Sequence, residues 1–369
     1  MFLSLVALAL LGDARIFLFV LNRFVFGSHR HETSPWKWLM YATPPVLLFL
    51  TLATFTRWWL FIAAAVGVYW IMARLHALRI GEERVAGTTT LPSEIVRLRK
   101  AHIPFAFLRN LGAHNDVYDI EVTRHEVEVA NLPPSFDGYR IAFLTDTHIA
   151  SFMRRAFFRE VVAQVARFDP DLVLLGGDFV TWERHIPLMA ELLLTDLTAR
   201  DGVYAVLGNH DYWANADGVV AAMTARGVRF VINRSIDIRR GDDAIALAGV
   251  DEIYRGAPDA DAAFGRLDPM TPCIAISHHP DVVDILEDRR IDLLLCGHTH
   301  GGQIRFPFFG SVIVPSKHEG RYARGFHRVG SVLLYVSRGI GAIPPLRILC
   351  RPEVATFVLR RSVNAHETL

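Results

Sequence analysis

The stretch Arg140-Ile141-Ala142-Phe143-Leu144-Thr145-Asp146-Thr147-His148 decides the fold class of this 369-residue chain. A short apolar run leads straight into a carboxylate and an imidazole, and the pattern recurs. Residues 172–175 run into Gly176, Gly177 and Asp178, and 203–207 into Gly208, Asn209, His210 and Asp211. Residues 273–276 run into Ser277, His278, His279 and Pro280, and 293–296 into Gly297, His298, Thr299 and His300. Short apolar runs bounded by turn formers read as strands buried on both faces. Helical stretches are expected between several of them, over 154–168, 185–200, 216–226 and 282–289. Strict period-two alternation over 120–129 predicts a half-exposed strand ahead of the first block. Buried strands alternating with helices predict an α/β fold whose ligands gather beyond the carboxyl ends of the strands.

Those strand ends supply oxygens and imidazoles without thiolate. Such a donor list suits Mn²⁺, Fe, Zn²⁺ or Co²⁺ better than Mg²⁺ alone. Each residue is weak evidence by itself. His298 alone is an ordinary surface or core histidine, and Asp178 after two glycines is an ordinary turn residue or cap. Five independent strand ends with metal-capable side chains, each beside glycine or a small polar residue, are hard to explain by turns. The three cysteines, Cys273, Cys296 and Cys350, are too few and too scattered for a disulfide framework or a Cys-rich zinc site.

In order and approximate spacing, the five blocks resemble the calcineurin-like metallophosphoesterases. The resemblance covers about residues 120–360. The segments 131–142, 301–305, 337–341 and 345–347 resemble the membrane-associated branch, which includes bacterial phosphodiesterases and diacylglucosamine-nucleotide pyrophosphohydrolases. It implies a sandwich of two mixed sheets flanked by helices. It also implies a two-metal site, with Asp146, His148, Asp178 and His300 on the first ion. Asp178 would bridge to a second ion held by Asn209, His278 and His298. His210 would stand by the scissile phosphate, and Asp211 would orient it. The choice of His278 over His279 rests only on a His-x-Pro pattern. The family often has Ser where this chain has Thr145. Manganese is the first choice of metal. Arg321, Arg338 and Arg347 are candidates for a phosphate fork.

The charge is divided unevenly. Residues 1–110 hold 12 basic and 5 acidic side chains, the rest 27 and 33. A net charge of +1 gives no whole-chain basicity that would argue for nucleic acid, which is not expected as a partner. An apolar fraction of 51% excludes a disordered chain. The apolar excess lies at the front. Residues 38–55 carry no charge, and 60–73, extended to about 78, carry only Arg74 near their end. Roughly 20 apolar residues span a bilayer, so these two segments read as a transmembrane hairpin. Residues 1–26 are interrupted by Asp13 and Arg15, and read as a third span or an interfacial anchor.

The basic residues flanking these segments place everything after residue 80 on the cytoplasmic side of a plasma (inner) membrane. The expected division is therefore an anchor over 1–79, a connector over 80–117, a catalytic domain over 118–361 and a tail over 362–369. Within the connector, 93–100 reads as a short basic helix, on the membrane surface or simply solvated.

The function these readings favour is a membrane-anchored hydrolase of phosphodiester or pyrophosphate bonds, with a lipid-linked nucleotide as the sharpest substrate. The alternatives are a phosphodiesterase or phosphatase for soluble substrates and, in another class, a membrane scaffold or metal sensor with a vestigial site.

Overall fold

The computed structural model describes residues 85–98, 115–150, 153–286, 288–306, 310–311, 313–318 and 320–362, with scattered helical positions before residue 72. The segments expected to span a membrane lie almost wholly outside the described residues. Among those described, no helix is long and apolar enough to cross one. The chain divides into two compact units. One comprises residues 1–84 and 305–321, the other 85–304 and 322–369. In the first unit, a short antiparallel ribbon pairs Arg305–Phe306 with Gly310–Ser311.

The larger unit contains two mixed sheets. The first sheet begins with strands β1 (Thr88–Arg97), β2 (Asp119–Val129), β3 (Arg140–Leu144), β4 (Leu172–Leu175), β5 (Val203–Ala205) and β6 (Arg229–Phe230). The second holds β7 (Arg234–Arg240), β8 (Asp243–Gly249), β9 (Cys273–Ile276), β10 (Ile291–Cys296), β11 (Gly325–Val329) and β12 (Val332–Val336). A further strand, β13 (Glu353–Arg361), returns to the first sheet and lies between β2 and β3, parallel to the former and antiparallel to the latter. The β3, β4, β5 and β6 strands are parallel neighbours, as are β8, β9, β10 and β12.

The block strands read as unbroken apolar runs because both of their faces are buried. In β3, Ile141 and Phe143 face the second sheet, while Ala142 and Leu144 face the helices. In β4, Leu172 and Leu174 point one way, Val173 and Leu175 the other. All eight are fully buried. Burying each large side chain contributes roughly 1.5–3 kcal/mol, so both layers hold the strand ends in register. Helix α1 (Arg155–Phe168) buries Phe157, Phe158, Val161, Val162 and Val165, the one-sided stripe of a surface helix.

Three expectations change. Residues 93–97 are not helical, because β1 runs through them and pairs antiparallel with β2. Its β-branched residues suit an edge strand, and Pro92 falls where the register shifts between Leu91 and Glu94. The 185–200 helix is shorter, as α2 (Ile186–Leu194), entered by a 3₁₀ turn. Residues 280–285 form a 3₁₀ turn rather than an α-helix, opened by Pro280.

Candidate metal centre

The carboxyl ends of β3, β4, β5, β9 and β10 converge on one point. Three overlapping groups of donors result: Asp146, His148 and His300; His148, Asp178 and His210; Asp178, His278 and His298. Within each group the donor atoms lie within 4.8 Å of one another. Asp178 belongs to two groups. Its Oδ2 lies 3.4 Å from His148 Nε2 and 3.3 Å from His278 Nε2.

The backbone is bent to achieve this. Asp146, His148, Asp178, His298 and His300 all have positive φ, between 42° and 69°. Left-handed geometry is uncommon for side chains with a Cβ, and of order 1–3 kcal/mol is stored at such residues. Two glycines permit the close approach. A Cβ on Gly208 would lie 2.2 Å from Asp178 Oδ1, and one on Gly297 would lie 2.2 Å from Thr145 Oγ1. Gly208→Ala should therefore push Asp178 out of place. We expect Mn²⁺ affinity, measured by calorimetric titration, to fall about 10–100-fold.

Asn209 opens helix α3 (Asn209–Ala214) directly after Gly208. His210 follows, its N–H donating to Asp178 Oδ1 at 2.8 Å and its ring lying 4.7 Å from that of His148. Asp211 is fully buried. Its carboxylate accepts the N–H groups of Asp178, Phe179 and Gly208, at 2.8, 2.8 and 2.9 Å. It thus holds the backbone on either side of the site, rather than orienting the His210 imidazole by a direct hydrogen bond.

His278 rather than His279 joins the donor cluster. The Nδ1 of His278 faces the Gly176 carbonyl at 2.8 Å, leaving Nε2 toward Asp178. His279 Nδ1 accepts the Asp281 N–H instead. Thr145, where the family often has Ser, donates its hydroxyl to Asp146 Oδ2 at 2.8 Å.

The electrostatics follow from burial around opposed charges. Burial alone would lower His278, but Asp178 and Asp146 raise it to about 10. Burial would raise Asp178, yet His278, His210 and His148 hold it well below the usual carboxylate range. Asp146 and Asp211 are pushed up by burial, and further by Asp178, to about 6 and about 7. Burial and the neighbouring Arg347 hold His300 down at about 3.

The residues fit a pair of dications. His148 Nε2 and His300 Nε2 approach to 3.0 Å, and His278 Nε2 and His298 Nδ1 to 3.1 Å. Ring nitrogens that face each other so closely need a proton or a cation between their lone pairs. The Asn209 Oδ1 acceptor is buried with no hydrogen-bond partner. Oxygen and imidazole donors around shared carboxylates suit borderline divalent ions.

Of the arginines expected to fork a phosphate, Arg338 and Arg347 are engaged within the protein, Arg347 with its Nη2 3.3 Å from His300 Nδ1. Arg347 is 0% exposed and donates to the carbonyls of Arg338, Gly339 and Gly341. Arg338 is paired with Glu121 at 2.8 Å and Glu353 at 3.2 Å. Sequence reasoning also passed over Trp213, whose ring lies 4.5 Å from that of His210. The i, i+3 spacing on one helix would have indicated it.

Parallel strands ending in a carboxylate–imidazole cluster around a shared Asp define a metal-dependent hydrolase. The family model described as calcineurin-like phosphoesterase matches residues 139–302. The chain is 32% identical to the uncharacterized metallophosphoesterase YkuE of Bacillus subtilis, over 69% of this chain and 90% of that protein. It is 30% identical to the phosphodiesterase YaeI of Escherichia coli, over 65% and 88%. It is 28% identical to the UDP-2,3-diacylglucosamine pyrophosphatase LpxG of Chlamydia trachomatis, over 61% and 85%. The chain belongs to the calcineurin-like phosphoesterase family, whose fold binds divalent metals in a binuclear site, and it is a hydrolase.

Proposed function

We propose that the protein is a membrane-anchored phosphoesterase that cleaves a phosphodiester or pyrophosphate bond of a lipid-linked nucleotide at the cytoplasmic face of the membrane. The observation that carries the hydrolytic part is the convergence of five strand ends on overlapping donor groups that share Asp178. The apolar segments 38–55 and 60–78 and their basic flanks support the anchor and its orientation. A tether confines enzyme and lipid to one surface and raises their effective concentration. The similarity to a relative named for a diacylglucosamine nucleotide supports the lipid.

Asp146, His148, Asp178 and His300 would hold one ion, and Asp178, Asn209, His278 and His298 the other. Manganese is the first choice for both. Bound there, such ions polarise the phosphoryl oxygens, provide a nucleophile from water near neutral pH and steady the leaving oxygen. His210, set beside His148 and outside the ligand set, would hydrogen-bond the phosphoryl group and deliver a proton to the departing oxygen. Asp211 would keep the Asp178 and Gly208 backbones in place while this happens.

The test uses the full chain purified with Mn²⁺, given a lipid-linked nucleotide pyrophosphate in mixed micelles and a water-soluble phosphodiester. Turnover of the lipid substrate is the expected result; turnover of the soluble ester alone would sink the lipid reading. His210→Ala should lower kcat by about 10²–10⁴-fold with metal content unchanged. Wild-type turnover in that variant would remove His210 from the chemistry.

A further inference from the structure

The loop after β8 contains a guanidinium that the reaction described so far does not use. Residues 251–256 turn back over the site. The Tyr254 ring lies 4.6 Å from that of His279, whose centroid lies 3.9 Å from that of His298 at a tilt of 35°. The next residue, Arg255, sits over the Trp213 ring at 5.3 Å, and Trp213 rests against His210 at 4.5 Å. Consecutive loop residues thus reach the His298 side and the His210 side of the cluster.

Asp251 and one oxygen of Glu252 are occupied by the loop's own backbone and by a tyrosine, while Glu252 Oε1 is buried without a hydrogen-bond partner. Asp251 accepts the Tyr212 hydroxyl and the N–H groups of Glu252 and Ala257. Glu252 Oε2 accepts the N–H groups of Tyr254 and Arg255. Neither acid forms a salt bridge with the Arg255 guanidinium among the described residues. Its Nε and Nη2 are buried and have no hydrogen-bond partner. These two atoms form one edge of the guanidinium, the edge that receives two oxygens of a phosphate or carboxylate side by side. A buried charge-bearing donor pair left without a partner is costly, and an anion meeting that edge would relieve it. Trp213, on which Arg255 rests, is itself 41% exposed.

We propose that Arg255, propped on Trp213, binds a second phosphate adjoining the one that is cleaved, and so selects pyrophosphate diesters over single phosphodiesters. This rests on the hydrolytic reading given above and narrows its substrate to a phosphoanhydride. In the reaction, water adds to the phosphorus beside His210 and the bond from that phosphorus to the bridging oxygen breaks. The second phosphate leaves as a phosphomonoester on the Arg255 edge. Two monoesters and the protons released from water balance the equation. Arg255 and Trp213 recognise the leaving group and take no part in proton transfer.

The test compares wild type with Arg255→Ala, Arg255→Lys and Trp213→Phe, each as the full chain loaded with Mn²⁺. The substrates are a lipid-linked nucleotide pyrophosphate in mixed micelles and bis(4-nitrophenyl) phosphate. The ratio of kcat/KM for the first to that for the second should fall about 10–100-fold in Arg255→Ala. Arg255→Lys, which keeps the charge and lacks the fork, should show a smaller fall in the same direction and decides the matter if the alanine variant does not fold.

An independent reading comes from metal-free protein titrated with inorganic pyrophosphate. A saturable change in tryptophan fluorescence is expected, absent in Trp213→Phe and shifted to at least about 10-fold higher concentration in Arg255→Ala. An unchanged ratio, or an equal fall on both substrates with unaltered pyrophosphate binding, overturns the proposal while leaving the hydrolytic reading intact. A wild type that cleaves neither ester overturns both.

Discussion

Asp178→Asn should remove activity, with kcat/KM lower by about 10³-fold or more, roughly 4 kcal/mol of lost transition-state stabilisation. The substitution keeps the shape of the side chain and removes its charge. One carboxylate oxygen accepts the His210 N–H, and the other lies within 3.4 Å of two imidazole nitrogens on different strand-end loops. An amide nitrogen placed toward those imidazoles would offer hydrogens where a shared negative charge is needed. The variant should bind fewer than two equivalents of Mn²⁺ by elemental analysis and retain the melting temperature of a folded protein. Full metal content together with normal turnover would show that Asp178 is not the shared ligand.

The largest effect on stability is expected at Arg338→Met. Arg338 and Glu353 are 8% and 2% exposed, and Glu121 completes the ion cluster. Glu353 also accepts from the Tyr335, Thr123 and Ser337 hydroxyls. Removing the guanidinium leaves a buried carboxylate without its cation, a loss of about 3–5 kcal/mol. Chemical denaturation of the two proteins measures it.

The same cluster sets an acid dependence. Burial acts to raise the Glu353 carboxyl, but Arg338, its backbone N–H and Tyr335 bring it down to about 2 from 4.5. A carboxyl lowered in the folded state stabilises the fold above its unfolded pKa and loses that contribution as pH falls. The wild type should therefore lose stability as pH drops from about 4.5 toward about 2. In Arg338→Met the lowered value disappears, and with it this part of the slope.

Much of the site was readable from the chain because its physics is local. A strand buried on both faces must be apolar throughout, and a ligand at its end must follow a residue that lets the backbone turn. Arg140–Leu144, Leu172–Leu175 and Cys273–Ile276 have the expected bounds for that reason. What depended on distant partners was not readable. Thr88–Arg97 is a strand because β2 lies beside it, and its own exposed, polar pattern carries no period-two signal. Arg338 and Arg347 resemble phosphate forks in sequence. Only the folded chain brings Glu121 and Glu353 to the first, and a set of carbonyls to the second. Arg255 had no local mark at all, since its interest lies in donors that the surrounding loop leaves unpaired.

The position of β13 bears on the order of events during synthesis. This strand is the C-terminal member of the first sheet, yet it fills the gap between β2 and β3 near that sheet's middle. Until residues 353–361 have left the ribosome, β2 and β3 cannot be joined and the hydrogen-bonding edges that β13 will cover stay open. Such long-range closure is slow and exposes strand edges to wrong partners. The first sheet is thus completed only once residues 353–361 have been made, long after the apolar segments ahead of residue 80 have emerged.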